Sequence, residues 1–474
     1  MDLPDSFLHP WLHTLTSHAP QPADLPPTPH NPAALVSTSA PLSLRVGSGA
    51  SIFADALLPA IASARREIIL VTCFWAESES LSGLKETLTE LARRRVSAIE
   101  RGEEVDELTV RMCFSSRSPW QKLFHTWSKS GHVYSPTKWP GLGLPDEKLL
   151  RGARMDMRVK SLFFFPFSVM HPKFLVVDRA RAWVPSCNVS WETWFEACVE
   201  FEGPAVGVLL EVYRGTWEYG ETQKPCAPLE GGFQAREDSS MAHRESNPAG
   251  NVHHFPQTGP ASIPTVILPS SHHRNPHFNS FIPFLPIPFL KEPPPPVTPL
   301  NAALLTLFEN AQRHIQILTP NLTCRTVETS LLSALERGVD VSIVTSRNLM
   351  VLEQLVTALT TTGTRLPAFT REYEQLLFRS ETERDRDPEA GRRVGRLEVR
   401  YYKPETRAGG WGEPVVSHVK MVRVDGEFVV LGSGNMDRAS WYTSQELGVM
   451  FYGGEGWNVW EGPLETRTEV VFPR

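Results

Sequence analysis

The chain has no apolar run that approaches the roughly 20 residues a membrane-spanning helix needs, so nothing in it reads as a transmembrane segment. It also has no surplus of basic charge: 47 Lys and Arg stand against 53 Asp and Glu, with no Lys/Arg block. A nucleic-acid enzyme ordinarily presents a basic surface, so this balance argues against nucleic acid, while leaving room for a local basic groove. Cysteine is scarce, with six in 474 residues (73, 113, 187, 198, 226 and 324) and no Cys-x-x-Cys spacing. Residues 1–40 begin with Asp2 and Asp5, are rich in Pro, His and Ser, and lack the basic–apolar–small layout of a signal peptide. Reduced thiols and a cytoplasmic or peripheral membrane location are therefore expected. The pairs His253-His254 and His272-His273 have no Cys or carboxylate at ligand spacing, so they read as solvated linker. No metal and no cofactor is expected. What remains is ordinary globular composition, 41% hydrophobic and 21% charged, long enough for two cores.

Against that background two segments repeat. His171-Pro-Lys173 with Asp178 recurs as His418-Val-Lys420 with Asp425, and Asn188 and Asn435 follow. Each second-copy residue stands 247 positions after its counterpart (171 and 418, 178 and 425, 188 and 435). A lone His-x-Lys is common, but two copies with matching Asp and Asn point to one active site built from two similar halves. Residues 173–178 and 420–425 read as strands, and Asp425-Gly426 between apolar runs is a hairpin signal. Residues two apart on a strand share a face. Each His and Lys should thus project together, while the Asp, at odd spacing, faces away as a structural anchor. An imidazole beside an ammonium suits a phosphate. Lysine gives charge-assisted donors, and histidine acts as nucleophile or proton donor near neutral pH.

This constellation resembles the paired HKD motifs of the phospholipase D superfamily. The second copy is close, with Gly432-Ser433-Gly434 before Asn435; the first has Pro185-Ser186-Cys187 before Asn188, without the paired small residues. The resemblance implies two similar α/β sandwich halves in a pseudo-two-fold arrangement with one shared active site. It implies an acidic partner for each imidazole, assigned to Glu196 and Glu446, with Glu200 and Glu202 competing for the first place. It also implies a metal-independent exchange in two steps. One His attacks phosphorus to give a phosphohistidine, the other protonates the leaving alcohol, and the roles then reverse. Lys173, Lys420, Asn188 and Asn435 would hold the non-bridging oxygens. By the same analogy His171 is the nucleophile and His418 the acid. The implied activity is that of a soluble phosphodiesterase or phosphatidyltransferase acting on phospholipids. The alternatives are a nuclease of the same superfamily and an inactive scaffold that binds partners through a Pro-rich linker. The expected partner is a phospholipid or other phosphodiester, with peripheral membrane contact, and the chain should be a monomer with an internal pseudo-dimer.

The duplication extends past the motifs. Leu57, Ile61, Ala64 and Ile68 recur as Leu304, Phe308, Ala311 and Ile315, the apolar face of a helix that runs into a strand. Leu84 and Leu88 likewise match Leu331 and Leu335. Strand–helix alternation argues for an α/β class in each half. The expected organisation is an N-terminal extension (1–40), a first half (41–227), a Pro/His/Ser-rich irregular linker (228–297) and a second half (298–474). Within the linker, the apolar residues 281–290 either pack over the junction or touch a membrane as a lid. Residues 163–167 are either a buried strand or the lining of an acyl pocket. Trp183, Trp191 and Trp194 are expected mainly in the core, and the mixed-charge residues 375–396 read as a solvated insertion.

Overall fold

The computed structural model describes residues 2–18, 31–118, 130–164, 168–190, 193–219, 249–256, 262–271, 294–386, 393–405 and 413–473. The first half comprises β1 (Val36–Ser48), a helical run α1 (Gly49–Ile52, Phe53–Leu57 and Leu58–Ser63), β2 (Glu67–Phe74), α2 (Glu79–Glu100) and β3 (Leu108–Ser116). It continues through β4 (Met155–Ser161), β5 (Phe174–Val177), β6 (Arg181–Pro185), β7 (Trp194–Glu202) and α3 (Pro204–Trp217). The second half repeats this: β8 (Ile263–Ser270), α4 (Pro299–Asn310), β9 (His314–Thr319), α5 (Arg325–Glu336), β10 (Asp340–Thr345), α6 (Val351–Ala358) and α7 (Thr362–Arg386). It continues through β11 (Leu397–Tyr402), β12 (Met421–Val424), β13 (Phe428–Gly432) and β14 (Glu446–Tyr452), and a last strand, Thr468–Phe472, pairs antiparallel with β11.

Strand order makes the duplication explicit. The first half runs β4-β3-β2-β5-β6-β7-β1, with β4, β3 and β2 parallel and the rest antiparallel. The second runs β11-β10-β9-β12-β13-β14-β8 with the same directions. The start of β1 pairs with the start of β8 (Val36 with Val266), which links the sheets of the two halves into a continuous one, 18-stranded among the described residues. Strand alternation divides the core accordingly. Ile69 and Val71 face a central core that also takes Leu318, Met421, Leu431 and Val449 from the second half. Ile68 and Leu70 face the outer helices of the first half, and Ile315 and Ile317 those of the second. Each fully buried Ile, Leu or Val contributes about 1.5–3 kcal/mol relative to exposure, so the central core binds half to half.

Several expectations are corrected here. Residues 228–297 hold β8, whose buried Thr265-Val266-Ile267-Leu268 run supplies sheet pairing on both sides, so the stretch is not irregular throughout. Residues 281–290 lie outside the described residues. Within residues 1–40, the helix Asp5–Ser17 buries Phe7, Trp11 and Leu15 in the second half's outer core, and Trp11 Nε1 donates to the Pro299 carbonyl at 3.0 Å. The spacing of four between those three residues forms one helical stripe. The mixed-charge residues 375–386 are the end of α7, with Arg379, Glu381, Glu383 and Asp385 exposed. Phe163 and Phe164 are buried in a short strand pair, while 165–167 lie outside the described residues. The motif strands begin at Phe174 and Met421, one residue after each lysine, so His171, Lys173, His418 and Lys420 lie on the segments leading into the strands rather than on them.

Both motif aspartates sit in turns at positive φ, 53° for Asp178 and 56° for Asp425, a region that Asp tolerates better than most residues. Asp178 accepts from the backbone N–H groups of Arg65, Arg66 and Glu67 at 2.7–3.1 Å. Asp425 accepts from Gln312, Arg313 and His314 at 2.7–2.9 Å. Each carboxylate thus ties the end of one strand to the start of its neighbour, β5 to β2 and β12 to β9. Asp178→Ala should lower stability by about 2 kcal/mol, because charge-assisted bonds to three amides are lost. Asp178→Asn, which keeps one acceptor oxygen and tolerates the turn, should lose less. Denaturant unfolding of the two variants checks the order; equal losses would contradict the anchoring role.

Candidate active site

The two motifs meet through strand pairing between halves. The His171 N–H donates to the Gln445 carbonyl at 2.9 Å, and the His418 N–H donates to the Phe195 carbonyl at 2.8 Å. Each histidine is thereby placed beside the residue that precedes the opposite half's glutamate. The side chains follow the same crossing. His171 Nδ1 lies 2.8 Å from Glu446, and His418 Nδ1 lies 2.8 Å from Glu196. Glu200 and Glu202 pair instead with Arg181. With Nδ1 committed to a carboxylate, Nε2 of each ring remains for chemistry.

The glutamates are fixed in turn. Ser186 Oγ donates to Glu196 and Ser433 Oγ to Glu446, both at 2.5 Å. The two serines are related by the same 247-residue offset (186 and 433) as the motifs, a signal present in the sequence that reading for catalytic types passed over. Gly432 lies where a Cβ would meet the Leu447 carbonyl at 2.1 Å, so that position demands glycine in the second half. Pro185 and Cys187 replace the paired small residues in the first half, yet the serine–glutamate contact is the same.

Both lysines are buried, Lys173 at 1% exposure and Lys420 at 3%. Lys173 Nζ donates to the His171 carbonyl at 2.9 Å, whereas Lys420 Nζ is buried without a hydrogen-bond partner among the described residues. Burial, partly offset by Glu196, pulls the Lys420 ammonium down to about 7. Burial lowers both imidazoles as well, against the opposing pull of Glu446 on His171 and of Glu196 on His418. Burial alone would raise the two glutamates, but the facing imidazoles and nearby lysine charge bring both below the ordinary carboxylate value. The Lys420 charge is felt at His171 and the Lys173 charge at His418, which marks the two motifs as one electrostatic unit.

The asparagines differ. Asn188 Oδ1 accepts from the Phe74 N–H at 3.2 Å. Asn435 Nδ2 donates to Asp437 at 3.1 Å, and its Oδ1 is buried without a partner. Asp437 also caps the following helical turn through the Ser440 N–H at 2.8 Å. The sequence reading missed Asp437, whose first-half counterpart at the 247 offset is Ser190. Trp194 is a further correction. Rather than joining the core as Trp183 does, it packs against His418 with ring centroids 4.5 Å apart. Trp191 lies outside the described residues. The His171 side chain is 15% exposed and that of His418 only 2%.

Two imidazoles, each oriented by a carboxylate, thus stand in one electrostatic unit with two buried lysines, a set of groups able to transfer protons and to neutralise an anion. Residues 304–458 match the family model described as cardiolipin synthase, PLD-like domain. No curated protein matches the chain. Among solved structures the chain is similar to phosphatidylserine synthase from Haemophilus influenzae, at 15% identity and TM-score 0.48, covering 92% of this chain and 89% of that one. It is also similar to polyphosphate kinase from Porphyromonas gingivalis, at 10% identity and TM-score 0.41, covering 88% and 46%. A third similarity is to Nuc, a phospholipase D family member from Salmonella typhimurium, at 16% identity and TM-score 0.23, covering 36% and 89%. The family-model match lies in the second half, where residues 304–458 are similar to a PLD-like domain.

Proposed function

We propose that the chain is a phosphodiesterase that hydrolyses or transfers the phosphatidyl group of phospholipids through a phosphohistidine. The observation that carries this reading is the crossed pair of His–Glu contacts around two buried lysines. His171, the more open ring, attacks phosphorus through Nε2, forming a P–N bond as the P–O bond to the leaving alcohol breaks. His418, enclosed by Trp194, gives its Nε2 proton to the departing oxygen. Water or an acceptor alcohol then loses its proton to His418 and attacks phosphorus, and the P–N bond breaks to regenerate His171. Lys173, Lys420 and the amides of Asn188 and Asn435 neutralise the phosphoryl oxygens as charge builds. An incoming phosphodiester anion favours the protonated forms of His418 and Lys420 that burial disfavours in the empty site. The acidic total charge supports phospholipid over nucleic acid as the substrate.

His171→Ala and His418→Ala should each abolish turnover, and Lys173→Ala or Lys420→Ala should reduce kcat/KM by about a thousandfold or more. Quenching in alkaline denaturant with a labelled phosphodiester should trap label on the wild type that acid then releases, and none on His171→Ala. The crossed pairing adds a sharper test. Glu196→Gln weakens the acid, so a p-nitrophenyl leaving group, which needs little protonation, should restore its rate. Glu446→Gln weakens the nucleophile and should not be restored. Label that persists in His171→Ala, or equal rescue of both glutamine variants, would contradict the assignment.

The pH profile follows from Lys420. Its ammonium, held near 7 in the free protein, is lost as pH rises through that value. The His418 proton, which burial pulls down to about 3 in the free protein, is already being lost at lower pH, so kcat/KM should steepen its fall near pH 7, while the basic limb of kcat moves higher because bound phosphodiester retains both protons. A flat kcat/KM between pH 6 and about 9, well past the lysine's ionisation, would contradict this role.

A further inference from the structure

The helix α6 (Val351–Ala358) is built inside out. Leu352, Leu355, Val356 and Leu359 occupy positions i, i+3, i+4 and i+7, one continuous apolar stripe. Such a stripe ordinarily faces the core, yet here the four residues are 76%, 44%, 44% and 59% exposed. The residue turned inward is polar: Gln354 is 3% exposed. Its Oε1 accepts from the Thr362 N–H at 2.6 Å, and its Nε2 donates to the Leu349 carbonyl at 2.6 Å. The orientation is therefore fixed by buried hydrogen bonds and cannot be reversed without orphaning them.

The helix is also tied to the phosphoryl pocket. Gln354 meets Asn321 at 2.9 Å, Asn321 meets Asp437 at 3.4 Å, and Asp437 holds Asn435. From the next residue, the Arg438 guanidinium donates to the Thr357 carbonyl at 2.9 Å. Two cations thus bracket the stripe, Arg438 at its C-terminal end and exposed Arg347 just ahead of it; Glu353 is the one acidic side chain on the helix. Apolar side chains flanked by arginines beside a phosphodiester site match the two layers of a phospholipid surface, acyl chains beneath and phosphates above.

We propose that α6 lies in the interfacial layer of a phospholipid bilayer and brings the pocket to lipids held there. This rests on the phosphatidyl reading of the site and adds the surface through which the substrate is reached. Binding should be read by co-sedimentation with phosphatidylcholine/phosphatidylglycerol vesicles, using the full chain carrying His171→Ala so that no turnover intervenes. The Leu352→Glu/Leu359→Glu double variant should bind vesicles at least tenfold more weakly, while an otherwise wild-type double variant should turn over soluble bis(p-nitrophenyl) phosphate within twofold of normal. Leu352→Trp, at the most exposed position, should show a blue shift of indole emission on adding vesicles. Undiminished vesicle binding by the double variant, absence of the blue shift, or conversion of a dimer to a monomer with unchanged vesicle binding would overturn the proposal, the last assigning the stripe to a second copy. Vesicle binding through α6 without hydrolysis of any phosphodiester would keep this surface and reject the phosphatidyl reading instead.

Discussion

Each imidazole is oriented by a carboxylate from the other half: His171 by Glu446 and His418 by Glu196. Neither half can therefore complete even its own catalytic dyad. Losing either histidine would leave a buried carboxylate without its imidazole partner, which is costly. This crossing makes the rest of the architecture necessary. The β1–β8 pairing, the central core shared by both sheets and the backbone bonds from His171 to Gln445 and from His418 to Phe195 all hold the halves in the one register that closes both dyads.

Symmetry of fold does not bring symmetry of chemistry. Lys173 is bonded to the His171 carbonyl while Lys420 has no hydrogen-bond partner among the described residues, and Asn188 contacts backbone while Asn435 contacts Asp437. Two residues before the glutamates stand Trp194 in one half and Ser444 in the other, so one imidazole is covered by an indole and its counterpart is more open. A two-step displacement needs one ring to attack and the other to manage protons. Small departures from the two-fold relation supply that difference. Two lysines buried close together are costly by themselves, and an anion entering beside them would offset that cost.

Much of this was legible in the chain. The constant 247-residue offset of His, Lys, Asp and Asn named the central side chains, and the helix-to-strand pattern at 57–68 and 304–315 named the α/β halves. The facing-away Asp was readable from spacing parity, although the strands begin after the lysines. What sequence could not reveal is pairing across hundreds of residues. That Glu446 belongs to His171 depends on how two sheets dock, which no local period encodes. The same holds for β8, whose prolines disguised a buried strand, and for the helix Asp5–Ser17, whose burial depends on a groove built by residues 299 onward. Ser186, Ser433 and Asp437 were missed because they act on other side chains, and Trp194 because an aromatic beside a motif reads first as core.

The crossed pairing is tested most directly by imidazole nitrogen NMR on the full chain. Nδ1 and Nε2 signals of His171 and His418 would be assigned with His→Ala variants and followed in Glu196→Gln and Glu446→Gln. Glu446→Gln should shift the His171 nitrogens and leave His418 nearly unmoved, while Glu196→Gln should do the reverse. If each glutamine instead perturbs the histidine of its own half, the halves do not share one site in this way.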